Sequence, residues 1–117
     1  MPAYASDRTT DGDGINGMND PHRQNYTDSI LDSIRIAMVD GENDIDDGGS
    51  FGAHLVEAVE ANRGLNMTVV RRALFNTFRM RFRLGQFDPA EGQKYLKLGM
   101  EQVDSLAAQQ LNAETSR

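Results

Sequence analysis

Residues 69–89 read VVRRALFNTFRMRFRLGQFDP, and this stretch decides the fold class. At about 100° per residue, Val69, Ala73, Met80 and Leu84 fall on one side of a helix, and Val70, Leu74, Phe78 and Phe82 occupy an adjoining side with Phe75 at its edge. Arg72, Arg79 and Arg83 share the narrow arc that is left. A helix apolar over most of its circumference expects neighbours on at least two sides. Gly85, followed by Phe87, Asp88 and Pro89, stops it.

On the N-terminal side of this helix, Leu65-Asn66 is a turn, and Asn66 or Thr68 is the cap. Before it, Ser50 is expected to cap a helix in which Phe51, Leu55, Ala58 and Val59 share a face, ending near Asn62 and Gly64. Residues 41–50, GENDIDDGGS, read as an acidic loop around at most a very short strand at Ile45. Thr27 is expected to cap an earlier helix carrying Ile30, Leu31, Ile34 and Met38, closed by Gly41. In residues 1–26 the pairs Asp11-Gly12, Asp13-Gly14, Asn16-Gly17 and Asp20-Pro21 predict turns, with at most a short extended piece before Asp11 and a loose N-terminus.

Beyond Pro89 the chain is polar, with Tyr95, Leu96 and Leu98 as a small apolar anchor and Ser105 capping a last helix from Leu106 to about Glu114. The expectation is a mostly α chain with at most one or two short strands. It divides into an irregular segment 1–26, a helical part 27–89, and a linker with a terminal helix, 90–117.

At 117 residues and 13.0 kDa there is room for one small domain. Eighteen acidic residues against twelve basic ones give a net charge of −6, which argues against nucleic acid or an anionic membrane as the main partner. With no cysteine there is no disulfide framework and no thiolate metal site, and the compartment stays open. No stretch approaches the roughly 20 apolar residues of a membrane span, and residues 1–20 lack the apolar segment of a secretory signal.

The arginine row can bind phosphate. The plainer reading is a solvated or salt-bridged strip whose aliphatic stems cover apolar surface, because the aromatic residues lie on the apolar faces and not between the charges. The acidic loops invite a calcium reading, which spacing tests: an EF-hand needs oxygen ligands at positions 1, 3 and 5, Gly at 6 and Glu at 12. A run from Asp7 through Thr9 and Asp11 to Gly12 meets Met18 at the last position, and a run through Asp40, Glu42 and Asp44 has Ile45 where glycine belongs. His22 and His54 belong to no ligand pattern, and Met67, Met80 and Met100 are packing residues by default. Thr10-Asp11-Gly12-Asp13-Gly14 is ordinary turn chemistry, whose chemical reading is a nucleophilic or basic Asp at the C-terminal end of a barrel strand.

In series these segments resemble glycoside hydrolase family 3, most closely its β-glucosidase and β-xylosidase branch. The match runs through Thr10-Asp11-Gly12-Asp13, His22, Tyr26-Thr27-Asp28-Ser29, Asp44-Ile45-Asp46-Asp47-Gly48, and Phe82-Arg83-Leu84-Gly85-Gln86-Phe87-Asp88-Pro89. The resemblance implies a C-terminal fragment of an α/β (β/α)8 barrel. In it Asp11 is the nucleophile of a retaining hydrolysis of terminal β-linked glucosides or xylosides, with no cofactor and no metal. Ser6-Asp7 is a rival for that place, and Gly14 stands where the family prefers Ala or Ser.

The resemblance further implies that residues 30–39 are the helix after the seventh strand, that Ile45 belongs to the eighth, and that residues 95–117 lead into a second domain. The acid/base and the first six strands lie outside this sequence, so the isolated chain is expected to be inactive. Members of this family are often secreted. Two other readings remain: a small helical module docking on a partner or a second copy, and an acidic calcium-binding module.

Overall fold

The computed structural model describes residues 8–61 and 63–116. These form two compact units that part between Leu84 and Gly85.

The first unit is built around two short strands. β1 (Thr9–Thr10) and β2 (Ile45–Asp46) run parallel, with Thr9 opposite Ile45 and Thr10 opposite Asp46. Parallel strands need a long crossover, and here it consists of helices α1 (Gly14–Asn19) and α2 (Ile30–Arg35). After β2 come α3 (Ser50–Glu60) and α4 (Met67–Arg83). The expectation of a mostly helical chain with one or two short strands is met.

α1 corrects the reading of residues 1–26 as turns alone. Asp13, at φ 61, stands just before α1 in the left-handed region that a short polar side chain tolerates, and the chain then closes a helical turn over Gly14 and Gly17. Each glycine costs a helix about 1 kcal/mol. Full burial of Ile15 offsets that by about 1.5–3 kcal/mol, so packing overrides local propensity.

α2 is capped two residues later than expected. Ser29, not Thr27, is its cap: the Ser29 Oγ accepts from the Asp32 backbone N–H at 3.2 Å. Thr27 is buried, and its hydroxyl shares a hydrogen bond of 2.5 Å with Ser33 Oγ. Past Arg35 the helix widens into a π turn over Ile36–Asp40, where the Gly41 N–H reaches back to the Ile36 carbonyl at 2.9 Å. The loosened carbonyls of Ala37 and Met38 accept instead from the Asn43 N–H at 2.8 Å and from an Arg72 guanidinium N–H at 2.6 Å.

That last bond corrects the arginine strip. Arg72 is half-buried and turns inward to tie α4 to the π turn. Asn66 caps α4 as expected, accepting from the backbone N–H groups of Thr68 and Val69 at 2.9 and 3.3 Å. Its far end is fixed by Gly85, at φ 70, where an added Cβ would lie 2.8 Å from Asp88 Oδ2. The left-handed backbone conformation therefore favours glycine there, whereas the Asp88 carboxylate can swing away from an added methyl group.

The core comprises Ile15, Ile34, Ala37, Met38, Ala58, Leu65 and Ala73, with Phe51, Leu55, Val59, Val69 and Val70 packed at its margin. Only four large apolar side chains in it are fully buried, namely Ile15, Ile34, Met38 and Leu65. Such a core contributes a modest stability, which makes single polar contacts count.

The second unit consists of three short 3-10 turns, Ala90–Gly92, Lys94–Lys97 and Met100–Gln102, followed by α5 (Leu106–Thr115). Ser105 caps α5 through the Ala108 N–H at 3.3 Å, as its sequence predicts. The expected apolar anchor does not form: Tyr95, Leu96 and Leu98 are all exposed. Short 3-10 turns bring no extended apolar face together, and the described residues of the unit leave them uncovered.

Candidate functional site

The parallel pairing places the C-terminal ends of β1 and β2 side by side. Thr10 leads into Asp11-Gly12-Asp13 and Asp46 leads into Asp47-Gly48, so two acidic turns face one another. Their closeness depends on glycine. A Cβ on Gly12 would lie 3.1 Å from the Asp47 carbonyl oxygen, and one on Gly48 would lie 3.1 Å from the Asp13 backbone nitrogen.

Asp46 holds the turns together. Its Oδ1 accepts from the Thr10 hydroxyl at 3.2 Å, and its Oδ2 accepts from the Phe51 backbone N–H at 2.9 Å. The second bond corrects the assignment of Ser50 as cap of α3. An N–H of the first helical turn has no partner within the helix, and here Asp46 supplies it. Ser50 is instead buried, its hydroxyl donating to Asn16 Oδ1 at 3.0 Å and so joining α3 to α1.

Asp11, the expected nucleophile, follows β1 directly and is exposed. Its carbonyl accepts from the Gly14 N–H at 2.9 Å, which closes the turn. Among the described residues its carboxylate has no hydrogen-bond or ion-pair partner, so it stands in solvent at the rim of the paired strands. Asp7, the rival position, lies outside the described residues.

No family model matches the chain. Curated relatives do. It is 40% identical over 87 residues to the probable exo-1,4-beta-xylosidase bxlB of Aspergillus clavatus, a match covering 74% of this chain and 11% of that protein. It is 36% identical over 87 residues to the probable exo-1,4-beta-xylosidase xlnD of Neosartorya fischeri, again over 74% of this chain and 11% of the relative. With the probable exo-1,4-beta-xylosidase bxlB of Aspergillus fumigatus it shares 33% over 103 residues, covering 88% of this chain and 13% of the relative.

The chain is similar to one stretch of fungal xylosidases. It spans about a tenth of the length of the curated relatives it matches.

Behind the turns lies a second carboxylate that sequence reasoning assigned to a loop. Asp44 is buried and accepts from the Asn76 side-chain amide at both oxygens, 3.1 and 3.2 Å away, while the Arg8 backbone N–H lies 3.4 Å from Oδ2. It therefore fastens the start of β2 to the middle of α4. Only spatial proximity reveals this pair, because 32 residues separate its members. The Asp46 cap had a faint signal in the sequence, an Asp five residues before the apolar Phe51.

The loop considered for calcium is committed elsewhere. Asp40 pairs with Arg35 at 3.2 Å, Glu42 with Arg8 at 3.2 Å, and Asp44 points inward to Asn76. Three carboxylates thus face three different partners. Among the described residues no group of three His, Asp or Glu side chains is placed to hold a metal ion. His22 is exposed, with its backbone N–H on Asp20 Oδ1 at 2.8 Å, and His54 Nδ1 lies 3.9 Å from Glu57.

Proposed function

We propose that this chain is a segment of a retaining β-glycosidase of glycoside hydrolase family 3, and that the parent reaction releases terminal β-linked xylose or glucose. The observation that carries the reading is 40% identity, over three quarters of the chain, to a protein named as a xylosidase. The parallel β1/β2 pair is consistent with it, since barrel enzymes place their chemistry at the C-terminal ends of parallel strands. On this reading β1 and β2 are the seventh and eighth strands of a (β/α)8 barrel. Residues 95–117 lead toward a second domain.

The chemistry follows from where Asp11 stands. A retaining hydrolysis needs one carboxylate to attack the anomeric carbon, forming a glycosyl-enzyme ester, and a second carboxyl group about 5 to 5.5 Å away to protonate the departing oxygen and then activate water. Asp11 is the attacking group. Thr10, Asp46 and the two facing glycines hold its turn at the strand end, and the acid/base and most of the sugar pocket come from other parts of the parent enzyme.

The test is a chimera in which the aligned stretch of the Aspergillus clavatus relative is replaced by this chain. Release of nitrophenol from an aryl β-xyloside is expected to persist in the chimera, and Asp11→Asn is expected to lower kcat on the order of 10³-fold or more. Full activity in the Asp11→Asn chimera would remove Asp11 from the mechanism. Trapping the intermediate with a 2-deoxy-2-fluoro xyloside and locating the ester by mass spectrometry identifies the residue directly.

A further inference from the structure

Residues 66–68 read Asn-Met-Thr, the Asn-x-Thr pattern without a central proline in which an asparagine side chain accepts an N-linked glycan. The fold leaves this asparagine free to do so. Asn66 is exposed and lies directly before α4 in extended backbone, at φ −144 and ψ 174. Its Oδ1 accepts from the backbone N–H groups of Thr68 and Val69, while its Nδ2 has no hydrogen-bond partner among the described residues. Two other asparagines show the opposite arrangement. Asn43 Nδ2 donates to the Ile45 carbonyl at 2.8 Å and Asn76 Nδ2 donates to Asp44, and neither is followed two residues later by Ser or Thr. Thr68, whose hydroxyl completes the pattern, is exposed as well. The second such pattern, Asn25-Tyr26-Thr27, differs on this point: Thr27 is 7% exposed and its hydroxyl is engaged with Ser33.

We propose that Asn66 is a glycan acceptor, taking an oligosaccharide through its first N-acetylhexosamine from a polyprenyl-diphosphate-linked donor. Nδ2 forms a bond to the anomeric carbon of that sugar. The bond from the same carbon to the diphosphate oxygen breaks, its electron pair leaves with the diphosphate, and one Nδ2 proton passes to the transferase. The product is a secondary amide whose Oδ1 keeps its acceptor capacity, so the two bonds that cap α4 survive the modification. Asn66 thus has one half of its amide committed to the helix and the other half available for the sugar. The attached glycan stands beside Met67, which is 51% exposed, and gives this apolar end of α4 a polar cover.

The test delivers the full chain to the secretory lumen of a yeast host behind a cleavable leader. Peptide:N-glycosidase digestion in heavy-oxygen water converts a glycosylated asparagine to a labelled aspartate, which peptide mass spectrometry then locates. The label is expected at Asn66 on most copies. Thr68→Ala is expected to lose it and Thr68→Ser to keep it, because serine restores the hydroxyl that the pattern needs. Both variants retain Asn66 and its cap, so an unchanged thermal melt separates loss of the acceptor from a failure to fold. Asp11→Asn leaves occupancy as it was, which makes the result independent of the glycosidase reading. An unmodified Asn66 in cells that modify a co-expressed glycoprotein, or a label at Asn66 that survives Thr68→Ala, would overturn the proposal. So would a glycosylated chain that melts below the same chain made in bacteria, since the sugar would then have displaced the cap.

Discussion

Asn76 donates its side-chain amide to both carboxylate oxygens of Asp44, from the middle of α4 to the entry of β2. The pair connects the long helix to the strand whose far end carries the acidic turn. Asn76→Ala would leave a buried carboxylate with only the distant Arg8 N–H, at a cost of about 1–3 kcal/mol. In a unit this small the melting temperature should fall by roughly 4–8 °C per kcal/mol, read by circular dichroism. Asp44→Asn keeps one acceptor and should lose less.

Asp46→Ala removes two bonds at once, the cap on the Phe51 N–H and the anchor of the Thr10 hydroxyl. A lost cap costs about 0.5–2 kcal/mol, and urea titration should show at least that. Thr10→Val removes only the hydroxyl and should cost less than Asp46→Ala. Equal losses in the two variants would mean that the cap contributes nothing.

Gly48→Ala places a methyl group 3.1 Å from the Asp13 backbone nitrogen, with Asp46 Oδ1 equally close. The facing turns must separate. Amide chemical shifts of residues 11–13 should move while those of α5 stay fixed, and stability should drop by about 1 kcal/mol or more. Unmoved shifts in residues 11–13 would show that the turns are not packed against one another.

Arg35 lies between Asp32 and Asp40, at 3.0 and 3.2 Å. Its hydrogen bond to Asp32 raises its already high pKa, Asp40 adds to the effect, and partial burial opposes it. A cation raised in this way contributes stability that is complete below its unfolded pKa and is lost only as pH climbs through the folded value, far above neutrality. The stability difference between the chain and Arg35→Gln should therefore be flat from about pH 7 to about pH 10. Added salt should shrink it.

The isolated chain should not hydrolyse aryl β-xylosides or β-glucosides. One solvated carboxylate without an acid partner or a sugar pocket supplies neither proximity nor proton transfer. Nitrophenol release by the purified chain that disappears in Asp11→Asn would show a more complete site than the described residues hold.

Local chemistry made much of this architecture readable in advance. The Asn66 and Ser105 caps, the stop at Gly85 and the brief strands around Thr10 and Ile45 all rest on neighbours in sequence, and all are present. What escaped depends on contacts across the fold. α1 forms against its glycines because Ile15 is buried, Arg72 turns inward because the π turn offers a carbonyl, and Asp46 displaces Ser50 as a cap because the β2 end lies beside α3. At the candidate site the position of Asp11 after a strand was legible, whereas its support by Thr10 and Asp46 depends on a strand register that no local pattern encodes.

The π turn at Ile36–Asp40 closes over five residues, so it stores one residue more than a regular helical turn would hold. Length variation between α2 and β2 can thus be absorbed inside the helix. Deleting a residue there would tighten the turn to α geometry and draw Gly41 back by about 1.5 Å. The pairing of Thr10 with Asp46 would be spared, and the position of the Asp11 turn is thereby insulated from insertions that would otherwise slide one strand along the other.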